Sequence, residues 1–329
     1  MSSWSRHRIA VAAVPSLPPP TSVALTAAQP PPKKLKHVHY APPTCNDTAL
    51  ILVFFNPSGS FRIQQNLLYV KHQLEVASIP FFIGELVYND SAPFLDSEKD
   101  KRVFTYRTSS YMFSKENIIN CVLENTNIKA YTKYIIMDCD VVFEIPDWID
   151  TISNTLDSYD VIQPFQFVHQ LDISFKSSAV KQSIIADPIH GHTGYVWAFR
   201  KDWIESMGGL YMYALIGGGD KCLAYMAGVH GVSIPKPYIE DIPNKNTTTR
   251  CTFLPYTIWH LPHGNLKNRK YIERADLLLQ TMIRLGIHKL HNAVNVNTQG
   301  IFEWKPEFKI DLNTLMLNYF NSREDDGYF

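Results

Sequence analysis

Asp138-Cys139-Asp140 is the segment of this sequence whose residue types and spacing point most directly to chemistry. The apolar and aromatic residues Tyr134 to Met137 precede it, and Val141-Val142-Phe143 follow it. Two carboxylates one residue apart, at the carboxyl edge of a strand, can share a divalent cation directly or through water. Hard oxygen ligands suit Mg²⁺ or Mn²⁺, and such a cation would neutralise a diphosphate. The plainer alternative is a solvated acidic turn. The apolar flanks weigh against it, because two carboxylates beside a hydrophobic strand repel each other unless positive charge sits between them.

Three further segments carry candidate groups. In Gly217-Gly218-Gly219-Asp220 the glycines, Gly218 and Gly219 above all, let backbone approach a ligand closely. Asp220 then reads as a catalytic carboxylate, a helix N-cap, or both. In Trp259-His260-Leu261-Pro262-His263-Gly264, Pro262 argues against a helical metal pair. One histidine is then a ligand and the other structural, with His263 preferred as the ligand. Lys267 and Arg269 just beyond can meet phosphate oxygens, or simply form a basic surface. In Gly191 to Trp197, Tyr195 and Trp197 alternate and so should share one strand face. There they would stack on a sugar or base, or pack in the core.

These groups need a frame, and the apolar pattern supplies one. Ala49 to Phe55 is a continuous apolar run, as expected of a strand covered on both faces. Asn56-Pro57-Ser58-Gly59 ends it. Ile63, Leu67, Val70 and Leu74 recur at helical spacing, and Ile79 to Val87 reads as the next strand. The alternation continues. Val103 to Tyr106 is strand, Lys115 to Leu123 helix and Lys133 to Met137 strand; a helix opens at Pro146-Asp147-Trp148, and Val161 to Gln163 is strand. Tyr195 to Arg200 reads as strand, Asp220 to Ala227 as helix, and Arg269 to Leu285 as a helix with Ile272, Ala275, Leu279 and Met282 on one face. This order predicts an open α/β sheet, with ligands beyond the carboxyl ends of its strands.

Composition sets the outer limits. A hydrophobic fraction of 45% supports a real core and excludes global disorder. Lys plus Arg and Asp plus Glu both number 31, so bulk positive charge does not drive nucleic-acid binding. No run approaches the about 18–20 apolar residues of a membrane span. The 5 cysteines are an odd number, widely spaced, without a CxxC pair, which fits a reducing, cytoplasmic setting rather than a disulfide scaffold. In such a setting the sequons at Asn46, Asn89 and Asn246 are silent. Residues 1–44 lack acidic side chains, hold Arg6, Arg8, Lys33, Lys34 and Lys36, and are rich in proline. They read as a disordered leader. A catalytic domain over 45–300 and a C-terminal extension over 301–329 follow, the polar end from Asn321 being expected to fray.

Taken in order, these segments resemble the GT-A fold nucleotide-diphospho-sugar transferases, in particular a bacterial and viral glycosyltransferase-like group and, more distantly, the β-1,4-galactosyltransferases. The resemblance is carried by Tyr134 to Trp148, Gly194 to Gly228 and Trp259 to Tyr271, with Asn56-Pro57 and Lys115-Glu116 to Asn120, and it spans about residues 49–285. It implies a GT-A-like open, mostly parallel mixed sheet flanked by helices. It implies metal-assisted transfer of a sugar, a hexose by analogy, from a UDP-sugar or other nucleotide-sugar donor to a hydroxyl of a glycan or other acceptor, with inversion. On this analogy Asp138, Asp140 and His263 hold Mn²⁺ or Mg²⁺, Asp220 is the base, and Gly208-Gly209 lies near the acceptor. The chain departs from the galactosyltransferases where Asp220 is followed by Lys221 instead of further acids. A catalytically degenerate sugar-nucleotide or glycan-binding protein of the same fold is therefore the alternative. A nucleotidyltransferase ranks lower, because Asn56 to Ser60 holds one glycine and no lysine.

Overall fold

The computed structural model describes residues 39–244 and 248–327. Most of the Pro-rich leader, 1–38, lies outside the described residues, as does the Asn246 sequon. In chain order the elements are β1 (Thr48–Phe55), α1 (Phe61–Val76), β2 (Phe81–Tyr88), β3 (Val103–Thr108), α2 (Lys115–Leu123), α3 (Thr126–Lys129) and β4 (Lys133–Met137). Next come β5 (Val141–Phe143), α4 (Trp148–Leu156), β6 (Val161–Gln163), β7 (Phe167–Leu171), β8 (Ser177–Gln182), β9 (Val196–Arg200), α5 (Lys201–Ser206) and α6 (Gly219–Met226). The chain continues through β10 (Cys251–Phe253), β11 (Thr257–His260), α7 (Glu273–Leu285), β12 (Val294–Val296), β13 (Phe302–Trp304) and α8 (Pro306–Ser322).

The expected open α/β sheet is present. Among the described residues it has seven strands in the order β10-β6-β9-β4-β1-β2-β3. All neighbouring pairs are parallel except those of β9, which runs against β4 and β6. Burial on both faces explains the unbroken apolar run of β1. Leu50, Leu52 and Phe54 enter one core with α1 and α4, while Ala49 and Ile51 enter the opposite core with α2. A third core gathers α7, α8 and the stretch from Tyr211 to Ile216.

Several features depart from the sequence pattern. A second sheet, β5-β11-β7-β8, was not foreseen. The last residues of the expected leader pack on the domain: the Tyr40 hydroxyl accepts from Phe143 N at 2.9 Å, and Asp150 accepts from Thr44 N and Cys45 N. The helix expected over Arg269–Leu285 is broken at Lys270, which is left-handed at φ 44°, and α7 starts at Glu273. Its buried face is Arg274, Leu278, Thr281 and Met282, whereas Ile272 is exposed.

The C-terminal end does not fray over the residues described. Ser60 caps α1, accepting from Ile63 N, and the Asp326 carboxylate adds to that cap from the far end of the chain, accepting from Ser60 Oγ at 2.6 Å and Arg62 N at 2.8 Å. Arg323 and Asp325 are buried. Apolar periodicity could not reveal this, because charge pairing holds the segment.

α2 lies tightly on the sheet at Gly84 of β2. A side chain there would overlap Ile118 Cγ2 and come within 3.0 Å of Val122 Cγ2. Gly84→Ala should therefore destabilise the protein by about 1–3 kcal/mol through overpacking. The check is urea unfolding; an unchanged midpoint would contradict the close approach.

Candidate active site

Asp138-Cys139-Asp140 is the crossing from one sheet to the other. β4 ends at Met137, and β5 of the small sheet begins at Val141. Asp138 N donates to Tyr195 O at 2.8 Å, which ties the turn to the residue before β9. Leu261 N donates to Asp140 O at 2.8 Å, and His260 pairs in register with Val141. Backbone pairing alone thus brings the acidic turn and the histidine segment side by side. The half-buried Cys139 thiol donates to Val53 O at 3.1 Å and anchors the turn to β1. Its surroundings, and the Asp140 and Asp138 carboxylates beside it, raise its pKa well above the ordinary thiol value, which disfavours the thiolate.

The two carboxylates part company. Asp140 Oδ2 lies 2.8 Å from His263 Nε2 and 3.5 Å from His260 Nε2, and the two imidazole nitrogens are 3.2 Å apart. Burial works to raise the Asp140 pKa, but the two histidines outweigh it and hold the carboxyl well below its usual range. Asp140 Oδ1 is buried without a hydrogen-bond partner. Asp140, His260 and His263 form the group with metal-ligand convergence among the described residues. Asp138 is not in it: its Oδ1 pairs with Lys115 Nζ at 2.6 Å. Burial and the neighbouring Asp220 and Asp140 raise the Asp138 pKa against the pull of Lys115.

Lys115, the first residue of α2, also reaches Asp220 Oδ1, at 2.9 Å. Burial disfavours its charge, yet the surrounding carboxylates keep its pKa well above the usual lysine value. Asp220 makes no capping bond to α6; the cap position is Gly218, left-handed at φ 92°. The other Asp220 oxygen, Oδ2, faces Gly194, where an added Cβ would sit 3.4 Å away.

These groups line one cleft of about 630 Å³ at the carboxyl ends of β1 and β4. Gly218, Gly219, Tyr195 and Arg269 also line it. Tyr195 is left-handed at φ 84°, packs edge-on against His260 and accepts from Gln170 Nε2 at 2.7 Å. That backbone angle breaks the alternation expected with Trp197. Trp197 is instead buried in the core on the α2 side, its indole N–H donating to Thr193 O at 2.7 Å, and it does not line the cleft. Lys267 is exposed and also lies outside the lining.

Two further groups in the cleft stand differently from the sequence reading, which gave His260 the structural role and did not single out Arg274. His260 joins His263 because it ends β11 while His263 sits in the following turn, so the helical spacing rule does not apply and both imidazoles face Asp140. Arg274 is buried, stacks near Phe113, Tyr271 and Tyr319, and donates to the Tyr319 hydroxyl at 2.7 Å. Among the described residues no carboxylate pairs with it. Gly217 makes room for it, since a Cβ there would lie 2.9 Å from Arg274 Nη2.

Asp325 comes from the far end of the chain. Its Oδ1 lies 3.1 Å from Arg323 Nη2, 3.5 Å from Arg269 Nη2 and 3.5 Å from His263 Nδ1. Arg269 Nη2 donates to His263 Nδ1 at 2.6 Å. Arginine can only donate, so this contact assigns the imidazole proton to Nε2, facing Asp140.

No protein-family model matches the chain, and no curated protein matches it. Among solved structures it is similar to a candidate nucleotide-diphospho-sugar transferase from Desulfovibrio desulfuricans G20, at 13% identity over 65% of this chain and 81% of that one, with a TM-score of 0.32. It is also similar to a mutant Drosophila β1,4-galactosyltransferase 7 in complex with manganese, UDP-Gal and xylobiose, at 14% identity, 82% and 99% coverage and a TM-score of 0.36. A third neighbour is a glycosyltransferase involved in glycosylating the major capsid of PBCV-1, at 14% identity, 70% and 100% coverage and a TM-score of 0.30. Scores of this size establish neither family nor substrate for this chain. No helix among the described residues is long and apolar enough to cross a membrane.

The Asp325 carboxyl is held down at about 2: burial raises it, and His263, Arg323 and Arg269 together outweigh that. Its folded-state pKa lies below the ordinary 3.8, so its stabilisation is complete above that value and fades as pH falls through about 2. Asp325→Ala leaves buried positive charge uncompensated and should cost about 3–5 kcal/mol at neutral pH. The loss should shrink in acid. Urea titrations at several pH values measure both, and a pH-independent loss would contradict the ion pairing.

Proposed function

We propose that this protein is a metal-dependent glycosyltransferase that moves a hexose from a UDP-sugar donor to the hydroxyl of a glycan or other acceptor, with inversion. The observation that carries the reading is the convergence of Asp140, His260 and His263 on the cleft that also holds Asp220. An unpartnered buried Asp140 oxygen beside two imidazole nitrogens is a donor set awaiting a cation. Two imidazoles with one carboxylate favour Mn²⁺ over Mg²⁺, which prefers oxygen ligands alone.

When bound, manganese supplies Lewis-acid stabilisation of the departing nucleoside diphosphate. His263 would hold the cation through Nε2 with its imidazole proton on Nδ1, facing Asp325 Oδ1 at 3.5 Å, and Arg269 would then give up its bond to Nδ1 and keep the one to His263 O at 3.0 Å. Arg274 and Arg269 bring positive charge for the phosphates. Tyr195 and the left-handed backbone of Gly218 shape the floor for the sugar. Lys115 holds Asp220 through Oδ1, which leaves Oδ2 to take the acceptor proton. The acceptor oxygen then bonds to the anomeric carbon as that carbon's bond to the diphosphate oxygen breaks.

One observation favours the alternative, a binding protein without turnover. A single lysine ties up both Asp138 and Asp220, so the candidate base is already paired.

A panel of UDP-sugars, with manganese and simple glycan acceptors, separates the two. Turnover is expected for the wild type. Asp140→Ala and His263→Ala should lose manganese-dependent UDP binding. Asp220→Asn should retain UDP binding while turnover falls by about 10²–10⁴-fold. Binding of UDP-sugar without any sugar release by the wild type would favour the binding module. No binding of any UDP-sugar would remove the proposal altogether.

A further inference from the structure

Gly219 is a glycine for a different reason from its two neighbours. Gly217 and Gly218 are left-handed, at φ 86° and 92°, and need glycine for their backbone. Gly219 is not among the left-handed residues and opens α6, where other residues fit. What forbids a side chain at 219 is space: a Cβ there would overlap the carboxyl group of Glu116.

Glu116 is the second residue of α2 and is 6% exposed. It lines the cleft beside Lys115 and Asp220. Among the described residues no other side chain hydrogen-bonds its carboxyl, whose donor is its own backbone N–H. Lys115 does not require it as a counter-ion, because Asp138 and Asp220 already bind that ammonium at 2.6 and 2.9 Å. A buried carboxyl without a strong partner is unfavourable, and an amide or a methionine would fill the same volume more cheaply. Burial raises its pKa to about 7 against the pull of Lys115, so near neutral pH the group can both donate and accept. The chain thus forgoes a side chain at 219 to seat an under-bonded carboxyl at the cleft wall.

We propose that Glu116 is a sugar-binding residue, its carboxyl hydrogen-bonding a hydroxyl of the donor's sugar in the space that Gly219 leaves open. The donor side is indicated by Lys115, which ties the start of α2 to Asp138 at the mouth of the metal-ligand turn. The proposal rests on the glycosyl-transfer reading and deepens it. It predicts that the cleft distinguishes a sugar-bearing nucleotide from the bare diphosphate through a group outside the acidic turn.

The test is calorimetric titration of UDP and of a panel of UDP-sugars, with manganese, into four proteins: wild type, Glu116→Gln, Gly219→Ala and the double variant Glu116→Ala/Gly219→Ala. The wild type should bind its preferred UDP-sugar more tightly than UDP. The double variant removes the clash along with the carboxyl, so its melting curve should match the wild type. It should bind UDP within about threefold of wild type but lose the sugar's added affinity, a change of about tenfold or more. Gly219→Ala alone should lose the same increment, because the new methyl displaces the carboxyl. Glu116→Gln, which keeps shape and hydrogen bonding, should retain most of it. If the double variant keeps the full increment, Glu116 is only a filler and the inference fails while the transfer reading survives. If the wild type itself gains nothing from the sugar, Glu116 binds none and the inference fails. If it binds no nucleotide at all, the transfer reading falls first and this falls with it.

Discussion

Two like charges one residue apart cannot both be drawn into a half-buried cleft without separate compensation, and this constraint organises the centre of the molecule. The turn from β4 to β5 aims Asp138 and Asp140 at different partners. Asp138 meets the ammonium of Lys115, and Asp140 meets two imidazoles. The separation is fixed by backbone, because one end of the turn bonds to Tyr195 and the other to Leu261. A couplet that looks like one bidentate clamp is thus divided, one carboxylate answered by a lysine and the other by two imidazoles.

The same division explains why the cleft is built from distant segments. α2 supplies the lysine, β11 and the turn after it supply the imidazoles, and α6 supplies the second carboxylate for Lys115. Each charged group depends on a partner from another element. Removing one partner leaves a buried charge exposed to low dielectric, so site chemistry and folding energy are coupled here. Lys115 is the pivot of that coupling, since it answers carboxylates from both the acidic turn and α6.

The large sheet was legible because its strands are apolar on both faces and need no partner to be recognised. Lys133–Met137, Val161–Gln163 and Lys115–Leu123 coincide with the runs that the sequence presents. The small sheet was not, because β5 and β11 are short and β8, Ser177–Gln182, is polar and largely exposed. In the site, Asp140, His263, Asp220, Tyr195, Arg269, Gly218 and Gly219 were legible by residue type and position. Trp197 misled because a left-handed Tyr195 shifts the alternation by which the two were paired. Lys115 and Glu116 were marked only as part of the resemblance, with no role, and Arg274 lay inside an ordinary helical pattern, where nothing local marks a buried charge. Asp325 was hidden by a rule that usually holds, that polar ends stay loose.

The segment carrying Asp325 and Asp326 also sets an order of events. Asp326 clasps the first helix of the sheet domain, and Asp325 braces a histidine of the cleft, yet both follow every other described element along the polypeptide. A ribosome would therefore release the strands and helices described above before the piece that braces α1 and the histidine turn. Until then, the start of α1 and the histidine turn lack their shared brace. Maturation of the pocket is in this sense a closing act, performed by residues whose side chains touch both the earliest and nearly the latest parts of the fold.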